Sequence, residues 1–405
     1  MIRPPATLPP RDDLRCPPRM RYTGGVSDID WAPDTAEILD DQVASYDRMR
    51  EQCPVARDAS GTWTVFKHAD VSRVLGDFDT FSNVVSGHLA VPNGMDPPQH
   101  GKFRTIVDRY FTAGQMAALE PAVRLIAAEV VADLGDEVEA MAAIAQPYAS
   151  RCQCEFMGWP PTLNEPLRQW ITQNHAAIRA HDREAMSAVA TAFDGRIKQQ
   201  LDVRRATGGP PATPDPTTEL LQEHVDGRAL TDEEIVSIVR NWTVGELGTI
   251  AASVGIVLQF LATHPDVQSQ LRADGSLIEP ATDEMLRLHA PLTANRRRTT
   301  RPVTLGGRHI PRDAPVTVVW ASANRDEDIF DDPYAFRLDR DPALNLLYGW
   351  GIHQCPGAPL ARLELRILVE EIFAATEHIC PVTGTHPTTA VHPAAGFATL
   401  PLRLR

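Results

Sequence analysis

Six cysteines in 405 residues are too few and too scattered to staple a chain of this length. Cys16, Cys53, Cys152, Cys154, Cys355 and Cys380 are therefore expected to be reduced thiols. The pair Cys152-Gln-Cys154 has the wrong spacing for zinc knuckles, and the absence of any Cys-x-x-Cys-His argues against a covalently attached c-type haem. Nowhere do about 18 uncharged apolar residues follow one another, and Met1-Ile-Arg-Pro-Pro opens no apolar run, so neither a membrane span nor a signal peptide is expected. A cytoplasmic location follows from that reading. Positive charge is in deficit too: 39 Lys and Arg against 53 Asp and Glu give a formal charge of −14, which argues against a nucleic-acid partner. Internal repeats are missing. So is a clear linker, because the Pro- and Gly-rich piece from Thr207 to Pro216 is short and flanked by helical patterns, as an internal surface loop would be.

With 43% hydrophobic and 23% charged residues, the chain has the composition of a globular protein with a sizeable core. The first part, to Pro33, is Pro-rich and irregular. Gly61–Phe66 then alternates like a strand ahead of a helical His68–Leu75, and Met116–Leu134 and Arg168–Ile178 carry helical spacing. Short strands return at Val303-Thr-Leu and Ala314–Trp320. The fold class expected is mainly α with small β-sheets, in one unit spanning 1–405 whose first 60 residues are the least defined.

Thr231-Asp-Glu-Glu234 is a capping box, and Pro265 closes the run it opens. The helix between them is about 33 residues long against a usual length of about a dozen, long enough to cross the molecule. Its middle, Asn241-Trp-Thr-Val-Gly-Glu-Leu-Gly-Thr249, holds two glycines, a carboxylate and an alcohol, and a further glycine follows at Gly255. Each glycine costs an isolated helix roughly 1 kcal/mol relative to alanine, which points to a steric demand for space. Glu246 and Thr249 are three residues apart and share a face.

The most informative segment is Tyr348-Gly-Trp-Gly-Ile-His-Gln-Cys-Pro-Gly357, in which glycines surround one cysteine just ahead of a helix. The glycines permit tight turns and close approach to a ligand, and the positive helix end favours a thiolate. A lone soft thiolate suits an axial ligand to iron better than a zinc site, the alternative being a Gly-rich turn over a buried thiol.

This segment resembles the haem-binding loop of the cytochrome P450 family, Phe-Gly-x-Gly-x-His-x-Cys-x-Gly, with Tyr348 in place of Phe. The resemblance covers roughly residues 60–405. It implies a P450 fold, with a long central helix over a b-type haem (iron protoporphyrin IX) and Cys355 as the axial ligand to its iron. Tyr348 keeps the ring that shields the sulfur, while its hydroxyl could add polarity there. Glu284-Met-Leu-Arg287 resembles the family's Glu-x-x-Arg helix, and Phe336–Arg340 the stretch that adds a second arginine, so Glu284, Arg287 and Arg340 are expected to form a buried structural network. Asp96–Arg104 resembles the segment with His and Arg four apart. His100, Arg104, Arg297 and His353 are accordingly the expected propionate partners.

Aligned on His264-Pro265, Thr249 takes the place of the family threonine that manages oxygen and protons. Gly248 stands where an acid is usual, Gly245 where alanine is, and Glu246 where glycine is. Glu246 and Thr249 are therefore the candidate proton-handling pair, with Gly248 against the cofactor. By the same resemblance Val84, Val85, His88, Leu89, Val91, Gly245, Leu292, Thr293, Ala294 and Phe397 would contact a small or medium hydrophobic substrate, with His88 and Glu246 available to a polar group on it.

The implied activity is insertion of one oxygen atom from O2, as hydroxylation or oxidative dealkylation. Electrons from NAD(P)H would arrive through a ferredoxin and its reductase. The central helix also looks like that of self-sufficient P450s, so a reductase domain absent from this chain is the other electron source. Lys102, Arg109, Arg362 and Arg366 are candidates for the electron-receiving face, and a monomer is expected. Two alternatives stay open: a peroxide-using or non-oxygenating enzyme of the same fold, and a non-catalytic haem-binding sensor.

Overall fold

Thr231 caps the central helix as its sequence predicts. Its hydroxyl accepts from the Glu234 N–H at 3.2 Å, and the Glu234 carboxylate accepts from the Thr231 N–H at 2.8 Å. In the computed structural model, which describes residues 30–33, 35, 38, 41–207, 215–391 and 394–405, this helix runs Asp232–Val244, widens to a π-helical Gly245–Ile250, and continues as Ala251–Thr263. It is, among the described residues, the one helix long and apolar enough to cross a membrane by length and composition. Yet 72% of its most apolar window lies inside the protein, as a core helix requires. The segment before residue 30 and the Pro-rich loop at 208–214 lie outside the described residues.

Around the central helix pack Gln146–Met157, Asn164–Arg179 and Arg183–Thr207, while Ala113–Ala132 lies along the C-terminal Ala358–Ala375. Most of the core is helix-on-helix. A second core lies under a five-stranded sheet in the order Val55–Arg57, Trp63–Val65, Pro315–Val318, Asn295–Thr299, Phe81–Ser82. Pro315–Val318 runs parallel to Trp63–Val65 and antiparallel to Asn295–Thr299, so that Val316 pairs with both Trp63 and Arg297. Cys152 and Cys154 are buried and free, but the expectation of six reduced thiols fails at Cys53, which is disulfide-bonded.

The approach to the cysteine loop is held by charge. On Ile278–His289, Glu284 accepts from Arg287 at 2.6 and 2.9 Å and from Arg340 at 2.9 Å, and the Arg337 N–H adds a bond at 3.1 Å. Arg287 also donates to the Asn324 and Pro333 carbonyls, and Arg340 to those of Asp331, Asp332 and Ala335. The three residues thus clamp the irregular stretch leading to Tyr348.

Candidate active site

Gly349 and Gly351 turn the loop at φ of +74° and +71°, where side chains are disfavoured, and a Cβ on Gly351 would sit 3.1 Å from the Leu75 carbonyl. The Cys355 N–H then donates to the Tyr348 carbonyl at 2.8 Å, directing the side chain away from the turn. Cys355 is accessible to solvent although protein surrounds it on most sides. Burial pushes its thiol up, against the opposing pull of the Gly357 and Ala358 N–H groups and of Arg104. The helix end alone therefore does not make a thiolate here; a bound cation would have to tip the balance. The Tyr348 hydroxyl is directed to Asp283 at 3.1 Å, and the Arg362 guanidinium covers its ring.

In the π segment, nothing lies within 4 Å of where a Cβ on Gly245 or Gly248 would stand. The glycines open space, as their cost in a helix implied. Thr249 is half-buried and its hydroxyl has no partner among the described residues, while its carbonyl accepts from Ser253 at 2.8 Å.

Donors without acceptors gather beside the loop. The rings of His100 and His353 are 4.2 Å apart, and both Nε2 atoms are buried without a partner. Arg297 is 4% exposed and donates only to the adjacent Arg296 carbonyl. Burial holds the His353 imidazole down to about 3, with His100, Arg297 and Arg104 adding to the effect, and burial holds the Arg297 guanidinium down to about 10 against the opposing pull of Asp96.

The model of the family described as Cytochrome P450 matches residues 153–404. The chain is 34% identical over 341 residues to the erythromycin C-12 hydroxylase of Saccharopolyspora erythraea, covering 80% of this chain and 85% of that one. It is 33% identical to the cyclomarin C epoxidase CymV of Salinispora arenicola, covering 83% and 89%. Among solved structures, a mutant of P450 EryK in complex with erythromycin B superposes with a TM-score of 0.82 at 31% identity, over 90% of this chain and 97% of that one. The chain belongs to the cytochrome P450 family.

The residues of this P450 fit a haem. Cys355 is exposed, two buried imidazole nitrogens beside it lack a partner, and the central helix is bare of side chains at Gly245 and Gly248. Among the described residues, no group of three or more His, Cys, Asp or Glu could hold a metal ion. Arg104 differs from the other donors: it is engaged with the Ile352 and Gln354 carbonyls at 3.0 and 2.7 Å and with Asp108 at 2.6 Å, and so braces the loop.

Of the residues expected to touch substrate, Val84, His88, Leu89 and Leu292 are exposed, and Val85, Thr293, Ala294 and Phe397 are partly so. Val91 is a correction. It is fully buried because its N–H donates to Ser237 and its carbonyl accepts from Asn241, pinning it into the core against the central helix. The candidate electron-receiving cations are all paired: Lys102 with Asp226, Arg109 with Glu223, Arg362 with Asp283, and Arg366 with Glu120 and Glu370.

Glu246 is buried against Glu364 of the cysteine helix. Burial pushes both carboxyls up. Sequence reasoning passed over Glu364, though a signal was there. Leu360, Leu363, Glu364, Ile367 and Leu368 recur with helical period, which puts this one charge on the buried stripe.

Proposed function

We propose that this P450 inserts one atom of O2 into a hydrophobic organic substrate, with electrons reaching it from NAD(P)H through a ferredoxin and its reductase or through a reductase domain elsewhere. The observation that carries the reading is the exposed Cys355 beside the unpartnered Nε2 atoms of His100 and His353 and the buried Arg297 guanidinium, which bonds to the Arg296 carbonyl. Haem, when bound, supplies the oxygen chemistry. Cys355 would hold its iron through the thiolate, and His100, His353 and Arg297 would hold its propionates by charge-assisted bonds. Gly245 and Gly248 leave room for it along the central helix. The free Thr249 hydroxyl passes protons within the cleft, and Glu246, one turn away, is their nearer store. That relatives are named as a hydroxylase and an epoxidase supports oxygen insertion as the reaction.

Replacing Cys355 with His tests the core of this. The reading expects loss of the red-shifted ferrous-CO band typical of thiolate ligation, and a retained band would sink it. A peroxide-driven reaction is the second reading, favoured by Gly248 at the position where the family has an acid. Turnover that needs neither NAD(P)H nor O2 would select it.

A further inference from the structure

A run of aromatic rings leads from the cysteine loop toward the surface. A Cβ on Gly357 would meet the Cys355 sulfur and the edge of the Phe111 ring, each at 3.8 Å, so the ring lies just across Gly357 from the sulfur. Phe111 meets Trp242 of the central helix edge-on, with 5.4 Å between centroids, and Trp242 meets Tyr110 at 5.3 Å. Phe156 closes the cluster, 5.4 Å from Phe111 and 5.8 Å from Trp242. Packing alone explains most such clusters. Tyr110 is the member it does not explain. It is 3% exposed, and its hydroxyl is directed at the Glu223 carboxylate at 3.5 Å. Glu223 in turn accepts two bonds from Arg109, at 3.0 and 3.2 Å, and the Arg109 side chain is at the surface.

Indole and phenol are, after thiols, the side chains that lose one electron most easily. A phenol does so at neutral pH only when its proton leaves as well, because the oxidised phenol is a very strong acid. Glu223 is placed to take that proton. Burial, then the charges of Glu223 and Glu219, hold the Tyr110 phenol well above its ordinary range against the pull of Arg109, so it stays neutral until it is oxidised. Trp242 meets rings, which accept no proton, and a charge left on it therefore passes on.

We infer that Trp242 and Tyr110 form a radical escape route, which carries an oxidising equivalent from the haem site to the Arg109 surface when no substrate is there to take it. A peroxide cleaved at the haem site leaves that site two electrons short. One electron returns to it from the Trp242 indole, and the oxidised indole recovers one from Tyr110. The Tyr110 O–H proton goes to Glu223. The products are a neutral tyrosyl radical, a protonated Glu223, a restored Trp242, and a site one electron short. Ascorbate or another small reductant at the surface then supplies the electron that, with the proton from Glu223, restores Tyr110. Phe111 is too hard to oxidise to carry the charge, and its ring keeps water out of the gap between the loop and Trp242. The route rests on the haem reading above only for its oxidant.

The test begins from haem-loaded protein that shows the thiolate ferrous-CO band. It is mixed with m-chloroperbenzoic acid without substrate, freeze-quenched, and read by electron paramagnetic resonance. Wild type should show a tyrosyl radical. Tyr110→Phe should abolish the signal, and Trp242→Phe and Glu223→Gln should each diminish it. Both ring variants should also lose their haem absorbance faster than wild type under cumene hydroperoxide. A wild type without a tyrosyl radical overturns the inference. So does a tyrosyl signal that survives Tyr110→Phe, which would place the radical on another tyrosine such as Tyr148 or Tyr348, or an undiminished signal in Trp242→Phe. If a ring variant does not fold, Glu223→Gln decides: a diminished signal supports the route and an undiminished one overturns it. A protein without the ferrous-CO band fails the haem reading, whereas a normal band without the radical fails this inference alone.

Discussion

Glu284 and Glu246 are both buried on helices of this P450, and their surroundings are opposites. Glu284 meets two guanidinium groups and a backbone N–H, and the arginines spend their remaining donors on carbonyls of the 324–335 stretch. Glu246 meets another acid and has an oxygen with no donor. A buried carboxylate among matched donors fixes backbone. Where two buried carboxyls face each other, one of them must hold a proton, which makes the pair a place where a proton can be given up. Burial alone therefore does not tell structural charge from working charge; the partner does.

The largest way to break that contrast is Arg287→Ala. It strips Glu284 of two bonds and leaves the Asn324 and Pro333 carbonyls without their donor. A loss of about 3–5 kcal/mol in stability is expected, because the buried Glu284 keeps only Arg340 and the Arg337 N–H while two buried carbonyls lose their donor. Urea unfolding measures it, and a loss below about 1 kcal/mol, the level of an exposed pair, would show that the network is not the clamp.

Glu246→Gln should behave in the opposite sense. A carboxyl whose pKa is raised on folding contributes fully at low pH, and that contribution is lost as pH rises from the unfolded value through the folded one. The variant should therefore gain on wild type as pH climbs above the ordinary carboxyl range, by about 1.4 kcal/mol for each unit by which burial holds the acid up. Parallel pH–stability curves for the two proteins would show that folding does not raise the Glu246 carboxyl.

Much of this was legible in the sequence, and the reasons differ by residue. The capping box at Thr231, the turn glycines at Gly349 and Gly351, and the Glu-x-x-Arg spacing each encode local geometry, so they appear in the structure where the pattern put them. The three glycines of the central helix signalled a need for space, and two of them do open it at the π segment. Gly255 serves packing instead, against Met141 and Phe397. What sequence could not supply was which side chains meet across helices. Glu246 and Glu364 are 118 positions apart, and only the packing of the central helix near the cysteine helix makes them partners. Val91 failed for a related reason: an apolar residue in a loop reads the same whether it lines a cleft or plugs the core.

The smallest expected effect separates two neighbours on one short helix, Gln99–Val107. Arg104 reaches the Ile352 and Gln354 carbonyls on either side of His353, so its truncation frees the loop that carries both His353 and Cys355. Lys102 pairs only with the exposed carboxylate of Asp226. Arg104→Ala should cost about 1–3 kcal/mol, the usual range for a lost charged donor to buried carbonyls, and should speed haem loss to apomyoglobin. Lys102→Ala should cost about 0.5 kcal/mol or less, and salt should screen even that. The ratio between the two haem-loss rates is the informative quantity, because both variants remove one positive charge from the same helix. Equal rates would mean that the charge of this helix acts on the haem site at long range; a rate raised only in Arg104→Ala would mean that the bonds to the loop carbonyls matter.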